Sequence, residues 1–138
     1  MIEFVVAAAI VIAGIGVAAV IRRRDAGQMA QGRRWSVPAQ LERRDFADPE
    51  ADRLVVVFSS DTCDVCAQTW QQVNELVTPA SGTAVDRVSY QDRSDLHDRY
   101  GIAAVPTLLV ADGEGVVQRS FVGPPDAAEL AEVLTGGE

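Results

Sequence analysis

Cys63-Asp64-Val65-Cys66 holds the only two cysteines of this 138-residue chain. Thiols three positions apart support three kinds of chemistry. They can form half of a zinc site, but zinc asks for about four ligands, and His97 is the only other good soft ligand in the chain. They can form a static bridge, but so small a loop gains little from restricting the unfolded chain. They can also act as a reversible dithiol/disulfide couple, and this reading accounts best for the residues on either side. The apolar run Leu54-Val55-Val56-Val57-Phe58 leads into Cys63, and a helical stretch from Ala67 to Leu76 leads away. A strand that delivers Cys63 to a helix start sets its sulfur beside unpaired N–H groups and the positive end of the helix dipole, which favours the reactive thiolate. Cys66, one turn further on, is placed to attack a mixed disulfide on Cys63 and release the partner.

The elements that must hold this pair follow in order. Residues 46–51 suggest a short helix or turn. Residues 54–59, apolar and β-branched, have the pattern of a buried parallel strand. A helix is expected over 66–77, stopped near Pro79 and Ser81-Gly82, then a strand over 84–90 and a short helix over 94–100 closed by Gly101. A second apolar strand, interrupted by Pro106, is expected over 104–111. The turn Asp112-Gly113-Glu114-Gly115 then leads to a hairpin partner over 116–122. After Gly123-Pro124-Pro125-Asp126 a last helix is expected over 127–134. The order β-α-β-α-β-β-α predicts an α/β fold, a mixed central sheet with helices on both faces.

Charge and hydropathy divide the chain. Residues 1–44 carry seven arginines against three acids, whereas residues 45–138 carry five against 17. So acidic a domain is a poor nucleic-acid binder. Phe4 to Ile21 is an uncharged apolar run of 18 residues, about 27 Å as a helix and close to a bilayer's hydrocarbon thickness. It lacks the basic start and short core of a cleavable signal. Residues 2–21 are therefore expected to be one retained transmembrane anchor, 22–44 a basic juxtamembrane linker and 45–138 the globular domain. Arg22-Arg23-Arg24 directly after the span predicts a cytoplasmic domain in the cell membrane by the positive-inside rule.

The soluble part, roughly residues 45–138, resembles the thioredoxin-like family. Two motifs carry the likeness: the strand–Cys-x-x-Cys–helix unit of residues 54–77, and Val105-Pro106-Thr107 about forty residues later, after Tyr100-Gly101-Ile102. The resemblance implies a thioredoxin-like fold and a cis peptide bond before Pro106. It implies that this proline packs beside the dithiol, and that Val105, Pro106 and Thr107 position an extended substrate. Gly123 matches a family glycine that lets chains approach closely. The chain also departs from the family pattern. Thr62 replaces a tryptophan, Asp64-Val65 replaces Gly-Pro, and Val57 stands where typical members carry a buried acid. Asp61 and Asp64 add negative charge that would oppose thiolate formation on Cys63 if near enough; the plainer roles are a helix cap for Asp61 and a solvated surface site for Asp64. His97 reads as a surface histidine and Trp70 as a packing residue.

The resemblance implies a thiol–disulfide oxidoreductase, and the expected anchor over 2–21 would tether it to the membrane. Cys63 would attack, Cys66 would resolve, and the partners would be protein thiols and disulfides. Electrons would come from a thioredoxin reductase or a membrane dithiol donor, with no metal and no organic cofactor needed. The alternative is a binding, scaffold or redox-sensing module of the same fold with little turnover.

Overall fold

The computed structural model describes residues 1–2 and 36–136. The expected span over 4–21 and most of the basic linker lie outside the described residues. Among the described residues no helix is long and apolar enough to cross a membrane.

Strand β1 (Arg53–Ser59) is the centre of the structure, and every residue from Leu54 to Ser59 is buried. Its alternating side chains divide between two cores. Leu54, Val56 and Phe58 face one way, with Leu41, Phe46, Val88, Leu96 and Leu109. Val55 and Val57 face the other way, with Val73, Leu108, Val110, Phe121, Leu130 and Leu134. A strand hydrophobic on both faces has to lie inside a sheet covered on both sides. It does: the strand order is β2-β1-β3-β4, with β2 (Thr83–Ser89), β3 (Thr107–Asp112) and β4 (Val117–Val122). β1 runs parallel to β2 and antiparallel to β3, and β3–β4 is an antiparallel hairpin. Val73 of helix α1 (Asp64–Leu76) and Leu130 and Leu134 of α3 (Ala127–Thr135) cover the Val55/Val57 face. Leu96 of α2 (Ser94–Arg99) packs on the other.

The ends of the elements show local causes. Asp126 caps α3 by accepting N–H bonds from Ala128 and Glu129, both at 3.0 Å. At the other end of α3, Arg53 donates to the carbonyls of Val133 and Leu134, placing a cation at the negative end of the helix.

Three expectations are corrected. The second apolar strand begins at Thr107 rather than at 104, because Pro106 has no N–H for the ladder. The helical turn before β1 is Arg43–Asp45, not 46–51. Residues after it are held as a turn by Arg43, whose Nη2 donates to the Asp48 carbonyl at 2.8 Å, with Asp48 at a positive φ of 41°. The packed unit also takes in residues assigned to the linker. Leu41 is 1% exposed, and Val37 packs on the same core. This arm pairs with the segment that leads into β4, where Leu41 N–H donates to Gly115 O at 2.8 Å and Val117 N–H to Ala39 O at 2.9 Å. Gly115 has φ +85°, and a Cβ there would stand 2.1 Å from the Leu41 carbonyl oxygen, so only glycine admits the arm. Asp45 ties the arm to α2: it accepts from Tyr100 Oη at 2.6 Å and from Arg99 Nη1 at 2.8 Å, while Tyr100 Oη accepts Glu42 N–H at 3.0 Å.

Candidate active site

β1 ends at Ser59, and a three-residue loop, Ser60-Asp61-Thr62, carries the chain to the start of α1. The helix begins at Asp64, two residues before the expected start, with Cys63 as its N-cap, and Cys63 Sγ accepts the Cys66 N–H at 3.1 Å. A sulfur thus fills the position usually held by a serine or aspartate oxygen. Cys63 and Cys66 are joined in a disulfide with their Cα atoms 5.2 Å apart. The two sulfurs differ in access: Cys66 is fully buried, whereas Cys63 is half-buried. Only Cys63 presents a sulfur to an incoming group, and on reduction its thiolate would inherit the Cys66 N–H and the helix dipole.

The register brings the second motif to the same end of the sheet. Phe58 pairs with Thr107, so the segment before β3 lies beside the loop that leaves β1. The Val105–Pro106 bond is cis, as the resemblance implied. Pro106 is buried and Val105 half-buried. Thr107 is 2% exposed, and its hydroxyl donates to Ala104 O at 2.7 Å. Its side chain is therefore spent on shaping the turn around Pro106. Gly123 N–H donates to Pro106 O at 2.8 Å. The reason for glycine here differs from the expected close approach: a Cβ would meet nothing within 4 Å, but φ is +88°, a conformation other residues rarely adopt.

The two aspartates have separate roles. Asp61 does not cap α1, since Cys63 does; its Oδ1 instead accepts from Ser89 Oγ at 2.6 Å. Asp64 is exposed in the first turn of α1, where a carboxylate suits the helix dipole. Trp70 packs against the core on the α1 side. His97 is corrected: it is 3% exposed, its Nε2 lies 3.0 Å from Val88 O, and its ring meets Phe58 and Tyr90 edge-on. A six-residue helix shows too little periodicity for this burial to be read from sequence. Among the described residues no group of three or more His, Cys, Asp or Glu side chains could hold a metal ion.

The thioredoxin family model matches residues 39–136. The chain belongs to the thioredoxin family. A mutant thioredoxin from Halobacterium salinarum is 25% identical, with 74% of this chain and 88% of that one covered and a TM-score of 0.56. Fasciola hepatica thioredoxin is 20% identical, covering 65% and 85%, with a TM-score of 0.55. The Drosophila melanogaster thioredoxin Deadhead has the same identity and coverage and a TM-score of 0.56. A search of curated proteins found no match. A thioredoxin domain carrying a Cys63–Cys66 disulfide is the apparatus of a thiol–disulfide oxidoreductase, and its substrates are protein thiols and disulfides.

Within this thioredoxin domain, sequence reasoning missed the polar groups around the dithiol loop. Ser59, fully buried, accepts from Arg87 Nε at 3.0 Å. Gln91 bonds both Ser60 and Ser89 across the ends of β1 and β2. Their signal is the pairing of Ser59 with Ser89, which exists only once the strand register is known.

Proposed function

We propose that this protein exchanges disulfides with protein partners through Cys63 and Cys66, tethered to the cell membrane with its domain on the cytoplasmic side. The observation that carries the chemical part is the asymmetry of the pair: a half-exposed sulfur at a helix N-terminus bonded to a fully buried one. In the reducing direction the Cys63 thiolate attacks one sulfur of a partner disulfide and expels the other as a thiolate, which takes up a proton. Cys66 then gives up its proton and attacks the Cys63 sulfur. The partner's second sulfur leaves as a thiolate, and two electrons have passed from the dithiol to the partner. Val57 is hydrocarbon and wholly buried, so in this scheme the Cys66 proton goes to water or to the departing thiolate. The partner's path runs over the Val105-Pro106-Thr107 turn at the same end of the sheet, where Val105 is the half-buried residue it meets and Pro106 and Thr107 hold the turn from within. The oxidised protein is returned to the dithiol by a thioredoxin reductase or a membrane dithiol donor.

The test is exchange with a disulfide substrate by the full chain and two variants. Cys63→Ser abolishes exchange, whereas Cys66→Ser accumulates a mixed disulfide visible on a non-reducing gel. Equal residual turnover in both variants would refute the assignment. Partner binding that persists without exchange in a double Cys→Ser variant would favour a binding module. The tether rests on the apolar run from Phe4 to Ile21, and the orientation on the arginines that follow it. Labelling of a cysteine added to the exposed Gln118 site by a membrane-impermeant reagent in intact cells would reverse the orientation.

A further inference from the structure

The loop that presents Cys63 is held from one side by two side chains at the neighbouring strand exit, Ser89 and Gln91, and Gln91 makes two of the bonds. Gln91 lies two residues past β2 and is exposed, yet both ends of its amide are used on this loop. Its Nε2 donates to Ser60 Oγ at 3.1 Å, and its Oε1 accepts the Asp61 N–H at 3.0 Å. The same Oε1 lies 3.1 Å from Ser89 Oγ, which itself bonds Asp61 Oδ1. Ser60 Oγ passes the restraint on, accepting the Thr62 N–H at 3.4 Å and lying 3.2 Å from Thr62 Oγ1. The Ser60 carbonyl then accepts the N–H of Cys63 at 3.2 Å. The far side is anchored, because Tyr90 N–H donates to Ser59 O at 2.8 Å and Ser89 is buried.

We infer that Gln91 is a positioning residue for Cys63: by bracing residues 60–62 it holds the sulfur at the N-cap of α1, and so sets its thiolate fraction and exchange rate. The inference rests on the proposed exchange through Cys63. The chain of contacts runs from Gln91 through Ser60 to Cys63, and the quantity it controls is the bond between Cys63 Sγ and the Cys66 N–H. A sulfur free to swing away from the helix N-terminus loses both that N–H and the dipole, and its protonated form gains ground. Gln91 is exposed and its amide is spent on the loop, so its replacement can alter the loop while the core stays intact.

The test uses the full chain carrying Cys66→Ser, which leaves one thiol, with and without Gln91→Met. Methionine keeps the length of the side chain and removes both amide bonds. The rate of alkylation against pH reports the Cys63 pKa. Gln91→Met is expected to move the profile to higher pH, with the thiolate fraction at pH 7 falling about threefold. Disulfide exchange in the two-cysteine protein should fall by about twofold, since the more basic thiolate is the better nucleophile. Ser60→Ala should shift the profile in the same direction, and the double variant should fall short of the sum of the two, because the Gln91–Ser60 bond is lost in both. An unchanged pH profile in Gln91→Met overturns the inference. So do fully additive effects of the two substitutions, or slowed exchange at an unchanged pKa, which would place Gln91 in contact with the partner. If exchange is insensitive to Cys63→Ser, the proposed function itself fails.

Discussion

Reducing the Cys63–Cys66 bond should lower the stability of the fold by a calculable amount. The bond closes a loop of only four residues, Cys63 to Cys66. Loop-closure entropy for so short a segment is worth about 2 kcal/mol at 25 °C. Against this, the reduced protein regains a thiolate at a helix N-terminus, worth about 0.3–1 kcal/mol. The net loss on reduction is then about 1–2 kcal/mol, or about 5–10 °C in Tm for a domain of this size. A thermodynamic cycle ties this to the redox couple. A disulfide that stabilises the folded state is harder to reduce there than in the unfolded chain, by about 20–40 mV for the same energy. The assay is thermal unfolding of the oxidised and reduced protein at pH 7, with the potential measured separately in a glutathione buffer. A reduced form as stable as the oxidised one, or more stable, would refute the reasoning. It would show that the dithiol state is stabilised in the fold by more than one N–H bond and a helix dipole.

Two further outcomes follow from the arm that precedes β1. Leu41→Ala empties a site that is 1% exposed and should cost about 2–3 kcal/mol in urea unfolding, while the potential of the dithiol at the opposite end of the sheet stays unchanged. Asp45 gives a pH dependence. Burial would raise its carboxyl, but the hydrogen bonds from Tyr100 and Arg99 and the charges of Arg99 and Arg93 outweigh burial and hold it below its ordinary value. A carboxylate held low in the fold adds stability above the unfolded pKa of about 3.9 and loses it as pH falls through the folded value. The stability difference between the protein and Asp45→Asn should accordingly shrink as pH is lowered below about 4; a difference that stays constant down to pH 2 would mean the charge of Asp45 adds nothing.

The sequence was most legible where a residue type has few uses. Two cysteines at a spacing of three named the site, and the unbroken apolar run of β1 gave the buried centre of the sheet. The order of elements was also readable, because several boundaries carry their own signal: Gly82, Gly101 and the Asp112–Gly115 turn as stops, and Asp126 as the cap that opens α3. What was hidden depended on contacts distant in sequence. Leu41 stands among arginines and glutamine in a stretch with no periodicity, and only its pairing with the segment that leads into β4 explains its burial. His97 looked solvated because a single helical turn does not reveal which face is covered. Arg43 is 6% exposed despite its charge, its stem buried and its head spent partly on backbone carbonyls. The cap was misassigned to Asp61 because the usual preference for oxygen donors gives no weight to sulfur. The brace around Cys63 joins residues 28 to 31 positions apart, and no local pattern announces such a pairing.

The attachment of the arm has a mechanical consequence. Residues 39–41 bond to residues 115–117, beyond the end of β3, whereas Thr107 and the dithiol loop lie at its start. The length of that strand, about 20 Å for six residues, separates the two. A pull applied through Ser36 is therefore met first by the backbone bonds to Gly115 and Val117, and next by the Glu42–Tyr100 and Asp45–Arg99 contacts. Cys63, Cys66 and Pro106 stand off this load path. The domain can be tugged by whatever precedes it while the geometry of its sulfurs stays unstressed.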